Sequence, residues 1–210
     1  ISVPAGRTSY IELPDGSQVL LNAGSSIRFN KHGFYKNRKI KLSGEAFFTV
    51  IKGQTFEINT VTGEQIQILG TSFNVFSRTG KFELKCYEGK VLVMTPDKDK
   101  YVVETNQKIT IKKGEPNPIT VVADSSSKIG WIRGEFNFNQ TALTDVFEEI
   151  ERQFNTHITL NFPDTSLRMF TGVFYKNSLS EALSLVCLPM NLNWVANNDS
   201  SYIEIFSVTP

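Results

Sequence analysis

A mainly β N-terminal domain followed by a small α+β domain is the architecture that this 210-residue sequence predicts. Three observations lead there: evenly spaced glycines in the first half, a proline- and serine-rich tract near the middle, and a change of hydrophobic period after it. At roughly 150 residues per domain, the length itself allows one or two.

Of the 14 glycines, 11 fall within residues 1–114. From Gly6 to Gly89 they recur every 7 to 11 residues, the spacing of short strands separated by turns. Between them run β-branched and aromatic segments: Val19-Leu20-Leu21, Ile40-Lys41-Leu42, Phe47 to Val50, Ile66 to Leu69, Phe73 to Phe76, Phe82 to Cys86 and Val91 to Val93. Pro14-Asp15-Gly16 predicts a tight turn, since proline presets φ, Asp can bond its own backbone and Gly accepts a positive φ. No strict repeat appears, so on pattern alone a barrel is also open, and residues 1–113 read as an irregular β-solenoid or a sandwich of short strands. Residues 114–130 (GEPNPITVVADSSSKIG) have the composition of a linker.

Residues 131–210 read differently. After a strand at Glu135 to Phe138, Leu143, Val146, Phe147, Ile150 and Phe154 follow helical spacing, with Thr141 as the expected N-cap. Strands are expected at His157 to Phe162 and Met169 to Tyr175, separated by a Pro-containing loop. Ser178 and Glu181 have capping-box spacing ahead of a second helix, whose apolar stripe is Leu179, Ala182, Leu183 and Val186 and which Pro189 stops. Strands at Asn191 to Ala196 and Ser201 to Phe206, joined by Asn197-Asn198-Asp199-Ser200, complete a β-α-β-β-α-β-β order.

Composition excludes several classes. With 22 Lys and Arg against 21 Asp and Glu, the net charge is +1, and no dense basic run favours nucleic acid. No stretch approaches the ~18–20 apolar residues of a membrane span. No nucleophile elbow, HExxH, GxxxxGK[ST] or GxGxxG is present. His32 and His157 are isolated and read as ordinary surface or half-buried residues. Cys86 and Cys187 lack CxxC spacing. Glu148, Glu149, Glu151 and Arg152 read as the solvated face of the first helix. No enzyme, metal, cofactor or small-molecule substrate is expected. Most of the 16 phenylalanines fall on the apolar phase of the expected elements, and Phe34-Tyr35, in a loop rich in Lys and Arg, is the one aromatic pair expected to be exposed.

The succession Leu13-Pro14-Asp15-Gly16-Ser17 with Val19 and Leu21 to Ser25, then Leu42 to Val50, Leu69 to Val75 and Glu88 to Val91, closely resembles the periplasmic FecR domain of FecR-type anti-sigma regulators. Trp131, Gly134-Glu135, Phe138, the Leu143 to Phe154 segment, Thr171 to Phe174 and Glu181 to Leu183 resemble the small C-terminal domain of the same proteins. That domain is similar to the STN module at the N-termini of secretins and TonB-dependent transducers.

The resemblance implies a single-pass inner-membrane protein. Its cytoplasmic segment would bind an extracytoplasmic-function sigma factor, and its periplasmic part would read an outer-membrane transducer that imports iron chelates or glycans. This chain corresponds to the periplasmic part, with the cytoplasmic segment and span expected before Ile1. The expected partner is the N-terminal signalling domain of a TonB-dependent transducer, docking on residues 131–207 while the β-rich part serves as stalk or platform. Strand addition is the physically reasonable mode, because an open two-layer domain presents unpaired edges. The candidate edges are Met169 to Tyr175 and Ser201 to Phe206, with Met169, Phe170, Thr171, Val173, Tyr175, Tyr202, Glu204 and Phe206 as contact residues.

Two other readings compete. A carbohydrate-binding or carbohydrate-active β-protein would use Phe34-Tyr35 for stacking and Asp15 or Glu45 for acid-base work. A purely structural adhesin-like module would have neither pocket nor partner. In an oxidising periplasm, Cys86 and Cys187 are nevertheless expected to be buried and unpaired, because they fall in different domains.

Overall fold

The computed structural model describes residues 1–78, 80–112, 119–124, 129–162 and 167–208. The chain divides into two compact units, Ile1–Pro4 with Thr8–Lys128, and Ala5–Arg7 with Ile129–Pro210. No helix among the described residues is long and apolar enough to cross a membrane.

The first unit contains twelve strands: β1 (Ser9–Glu12), β2 (Gln18–Leu21), β3 (Ser26–Phe29), β4 (Arg38–Thr49), β5 (Phe56–Thr60), β6 (Gln65–Ile68), β7 (Ser72–Arg78), β8 (Lys81–Glu88), β9 (Lys90–Met94), β10 (Lys100–Glu104), β11 (Gln107–Lys112) and β12 (Ile119–Ala123). They share one ladder network of order β10-β9-β6-β5-β4-β7-β8-β11-β12, with β3 and the β1-β2 pair joined to β4. β4 belongs to two leaves. Residues 38–42 pair in parallel with β5 and residues 40–43 in antiparallel fashion with β3, whereas residues 44–49 pair with β7 and 46–49 with β2.

Gly44 marks the switch, at φ +99°, and a Cβ there would lie 2.8 Å from the Ser25 Cα. Only glycine fits both the backbone conformation and the close approach. The twelve strands form one nearly closed sheet, whose inward residues form one core. A run of rings, Phe34 to Phe56 to Phe48 to Phe73, crosses it at centroid distances of 6.0, 6.4 and 5.3 Å.

The expected turn forms at residues 13–17. Gly16 has φ +84° and donates to the Leu13 carbonyl, and Asp15 accepts from the Ser17 amide at 3.0 Å. Asp15 also meets the buried Arg38 guanidinium at 2.6 Å, and Arg38 donates further to the carbonyls of Gln54 (2.6 Å) and Ile51 (2.9 Å). One buried arginine thus ties the β1-β2 turn to the loop after β4.

The tract 114–130 departs from the expected linker. Ile119–Ala123 is a strand, paired along its length with β11. Its burial shows no alternation, because as an edge strand it is held by main-chain hydrogen bonds rather than by an apolar face. Residues 114–118 and 125–128 of the tract lie outside the described residues.

The second unit contains β13 (Glu135–Ala142), α1 (Leu143–Phe154), β14 (His157–Asn161), β15 (Met169–Tyr175), α2 (Leu179–Cys187), β16 (Leu192–Ala196) and β17 (Tyr202–Ser207). The chain order is β-α-β-β-α-β-β. Most of the Pro-containing loop before β15, residues 163–166, lies outside the described residues. The strands form a β13-β15 pair and a three-stranded sheet of order β14-β17-β16, with β14 parallel and β16 antiparallel to β17. On α1 the residues Leu143, Val146, Phe147 and Ile150 are buried, as their spacing predicts.

Thr141 is not the cap of α1. β13 runs on to Ala142 through a bulge, so Ala142 takes the N-cap position and the Thr141 hydroxyl donates to the Asn139 carbonyl instead. At α2, Ser178 caps as expected, its hydroxyl accepting from the Glu181 amide.

Candidate interaction surface

The second unit has four strand sides that border no partner strand among the described residues: one each on β13, β15, β14 and β16. An antiparallel strand aims alternate backbone groups at its neighbour and the rest away from it. At three of these sides an outward amide is already taken within the unit. Glu135 N–H of β13 donates to the Gly130 carbonyl at 3.0 Å. Ile158 N–H of β14 donates to the Glu151 carboxylate at 2.6 Å, an oxygen that also lies 3.1 Å from His157 Nδ1. Trp194 N–H of β16 donates to Asn193 Oδ1 at 2.9 Å.

β15 differs. Its register opposite β13, with Lys176 N–H donating to the Gly134 carbonyl at 2.7 Å, places Phe174 and Gly172 in hydrogen-bonding positions. Val173 and Tyr175 therefore present their backbone groups away from β13. Side chains alternate too: Phe170 and Phe174 point into the core, where Phe174 stacks on Phe136 at 4.8 Å and Phe138 at 5.6 Å. Met169, Thr171 and Tyr175 are exposed and Val173 is half-buried. Phe170, expected as a contact residue, is instead 3% exposed and belongs to the core, since it falls on the buried phase of the pleat.

The second expected edge is not an edge. β17 is the central strand of its sheet, paired on both sides, so Ser201 to Phe206 offers no open backbone. Tyr202, Glu204 and Phe206 share the outer face of that sheet. Tyr202 donates its hydroxyl to Thr159 Oγ1 at 2.9 Å and packs near the His157 ring, while Phe206 lies opposite Asn161 and Asn193. Phe206 is also the only one of the 16 phenylalanines that is exposed.

In the first unit the groups invoked for acid-base chemistry are occupied. Asp15 is paired with Arg38, and Glu45, 9% exposed, accepts from Asn22 Nδ2 at 2.9 Å and Asn74 Nδ2 at 2.8 Å. Phe34, expected to be exposed with Tyr35, is buried against Phe29 and Phe56, and only Tyr35 reaches solvent. A cavity of about 450 Å³ lies over β6 and β9, lined by Leu69, Leu92, Val102 and Lys90 among others. It contains no carboxylate and no ring, so it lacks the lining of a glycosidase cleft. Among the described residues no three His, Cys, Asp or Glu are grouped to hold a metal ion.

Cys86 and Cys187 are both buried and free. Burial pushes the Cys187 thiol up to about 12, and Cys86 is also raised, chiefly by burial. Both stay protonated at neutral pH and behave as small apolar side chains.

Two family models match this chain: that for the FecR protein over residues 1–92 and that for the FecR C-terminal region over residues 135–203. The chain belongs to the FecR family. Two crystal structures titled as a "putative anti-sigma factor" from Parabacteroides distasonis ATCC 8503 are similar to it throughout. One superposes with a TM-score of 0.87 at 26% identity, covering 100% of this chain and 98% of that one. The other gives 0.86 at 27%, covering 100% and 99%. No curated protein matches.

In this FecR chain the motifs that carried the resemblance have structural work to do. Pro14-Asp15-Gly16-Ser17 is the turn that holds Arg38. Leu42-Ser43-Gly44-Glu45 is the crossing of β4 between leaves, and Gly70 and Gly89 approach Lys52 and Thr71 so closely that a Cβ would clash. Gly70, with Leu69, Thr71, Lys90 and Val91 of the same motifs, also borders the cavity over β6 and β9. The turn, the crossing and the close approaches are roles in the fold, and the similar crystal structures are described as anti-sigma factors.

Proposed function

We propose that this chain is the periplasmic, signal-receiving region of a transmembrane anti-sigma regulator. On this reading its C-terminal unit is an STN-like module that docks the N-terminal signalling domain of a TonB-dependent outer-membrane transducer. The sigma factor is held by a separate cytoplasmic segment, beyond a single inner-membrane span. Membership of the FecR family supports the regulatory role. The observation that carries the docking mode is the outward side of β15, where Val173 and Tyr175 present backbone groups that no strand pairs among the described residues. A transducer strand added there would gain main-chain hydrogen bonds, with Met169, Thr171 and Tyr175 supplying side-chain contacts. The transducer alters signalling by its differential affinity for two states of the regulator.

The test is calorimetric titration of the 210-residue chain with an isolated signalling domain. Binding tighter than ~100 µM is expected of an interface of ordinary size. Val173→Pro removes only an outward amide, so the unit stays folded while affinity falls by about tenfold or more. Glu204→Pro, in contrast, breaks the ladder to β16 and unfolds the unit. Full affinity in V173P would rule out strand addition at β15.

A further inference from the structure

Residues 16–44 hold six Lys and Arg and no Asp or Glu. Arg38 is spent on Asp15, and Lys39 lies 3.3 Å from Glu57. The other four, Arg28, Lys31, Lys36 and Lys41, are all exposed, and none has an ion-pair partner among the described residues. Elsewhere in the unit Lys81, Lys85, Lys90 and Lys108 each reach a carboxylate, whereas Lys52, Lys98 and Lys100, which are spread over other loops and strands, have no ion-pair partner among the described residues. Arg28 and Lys41 are moreover direct cross-strand neighbours on β3 and β4, an arrangement that costs stability unless an outside anion offsets it. Lys31 and Lys36 lie in the loop joining the same two strands, with Tyr35 between them at 69% exposure. Beside Arg28 the Ile1 backbone nitrogen donates to the Ile27 carbonyl at 2.9 Å.

We propose that Arg28, Lys31, Lys36 and Lys41, with Tyr35, form a patch that rests on an anionic phospholipid surface. This rests on the reading above that the chain is tethered to the inner membrane ahead of Ile1. On that reading the first unit is held close to a bilayer. Tether and charge then favour the same occupant: cations meet phosphate headgroups, and a tyrosine suits the interfacial zone. The tether supplies the local concentration, so each contact can be weak and still orient the unit.

The experiment is co-sedimentation of the 210-residue chain with vesicles of phosphatidylcholine alone or containing about one-third phosphatidylglycerol. Each cation near an anionic surface raises partitioning by roughly fivefold. The chain is expected to sediment with the anionic vesicles at low salt, to stay in solution with the neutral ones, and to be released as added salt shortens the screening length. Neutralising the four residues to Gln lowers partitioning by on the order of a hundredfold or more. Neutralising Lys52, Lys98, Lys100 and Lys112, the same change in net charge, leaves most of it. Tyr35→Ser weakens binding further without altering its salt dependence. An unchanged thermal transition in each variant excludes misfolding as the cause.

Absence of binding to anionic vesicles, or equal losses in the two fourfold variants, would overturn the proposal. So would retention by a soluble polyanion such as heparin without vesicle binding, which would point to an acidic polymer instead. Transducer titration is read separately. Docking with no vesicle binding removes the patch inference alone, and vesicle binding with no docking removes only the partner.

Discussion

Asp15→Asn tests whether the most recognisable turn in the sequence is a structural anchor. The substitution keeps the size of the side chain and an oxygen for the Ser17 amide, but it removes the charge opposite Arg38. Both partners are nearly sealed, with side-chain exposures of 6% and 5%. Leaving one member of a buried ion pair uncompensated costs about 3–5 kcal/mol. Arg38 keeps three oxygen partners, on Gln54, Ile51 and Ser17, so the expected loss lies near the lower end, about 3 kcal/mol.

Arg38→Met also costs about 3 kcal/mol or more, because it strands the Asp15 carboxylate and two carbonyls. The double variant carries no unpaired buried charge and recovers about 2 kcal/mol relative to the sum of the singles. The two tryptophans, Trp131 and Trp194, both lie in the second unit. Urea unfolding followed by far-UV circular dichroism therefore reports both units, and tryptophan fluorescence only the second. The dichroism transition of the first unit moves to lower urea while the fluorescence midpoint stays in place. A loss below about 1 kcal/mol for D15N, the level of an exposed pair, or strict additivity in the cycle, would refute the anchor.

Gly44→Ala should destabilise the first unit by more than about 3 kcal/mol, adding backbone strain at φ +99° to a clash with Ser25. Gly80→Ala, at φ +73° with nothing within 4 Å, should cost only about 1–2 kcal/mol, so similar urea midpoints for the two would be inconsistent with a close approach at Gly44. Neither cysteine should react with a thiol reagent in the native chain at pH 8, and both should react after denaturation. The raised Cys187 and Cys86 thiols keep their protons when the unfolded chain, near its ordinary value of ~8.5, has lost them. Stability is therefore fully present below about pH 8.5 and falls as pH rises towards 12. Tyr87, held up to about 12 chiefly by burial, adds to the same decline from about pH 10. Measured by urea midpoint against pH, Cys187→Ala should flatten the earlier part of the fall, and an unchanged profile would show that the thiol does not contribute.

What the residues disclosed divides along local and non-local lines. α1, β15 and the Ser178 cap were legible because each follows from a period or a cap within a few residues. The turn at Asp15 was legible for the same reason, but its partner Arg38 was not, since 23 residues separate them and nothing local marks that arginine as buried. β12 was missed because prolines and serines surround it and its own five residues have no buried face. Thr141 is not the cap because a bulge, with Gln140 at φ +47°, carries β13 four residues past its expected end at Phe138, to Ala142. Phe34 falls among charged neighbours, a setting that suits a surface ring, although its ring lies at the end of the aromatic run in the core.

The misplacement of β17 has the same origin and the largest consequence for function. Ser201 to Phe206 alternates as a half-buried strand does, and β17 is one: Ile203 and Ile205 face inward and Tyr202, Glu204 and Phe206 outward. Alternation specifies a face, however, and says nothing about which strand lies alongside. The last strand in the chain became central because it slots between β14, forty-five residues earlier, and its hairpin partner β16. The parallel pairing with β14 needs a long crossover that no local signal announces. β15 pairs with β13 alone, and among the described residues its outward Val173 and Tyr175 amides have no acceptor, whereas one outward amide each of β13, β14 and β16 is taken up. The eight candidate residues separate accordingly. Phe170 stabilises the core, Tyr202, Glu204 and Phe206 form a side-chain surface on a strand paired along both sides, and the exposed Met169, Thr171 and Tyr175 with the half-buried Val173 lie on a strand paired along one side only.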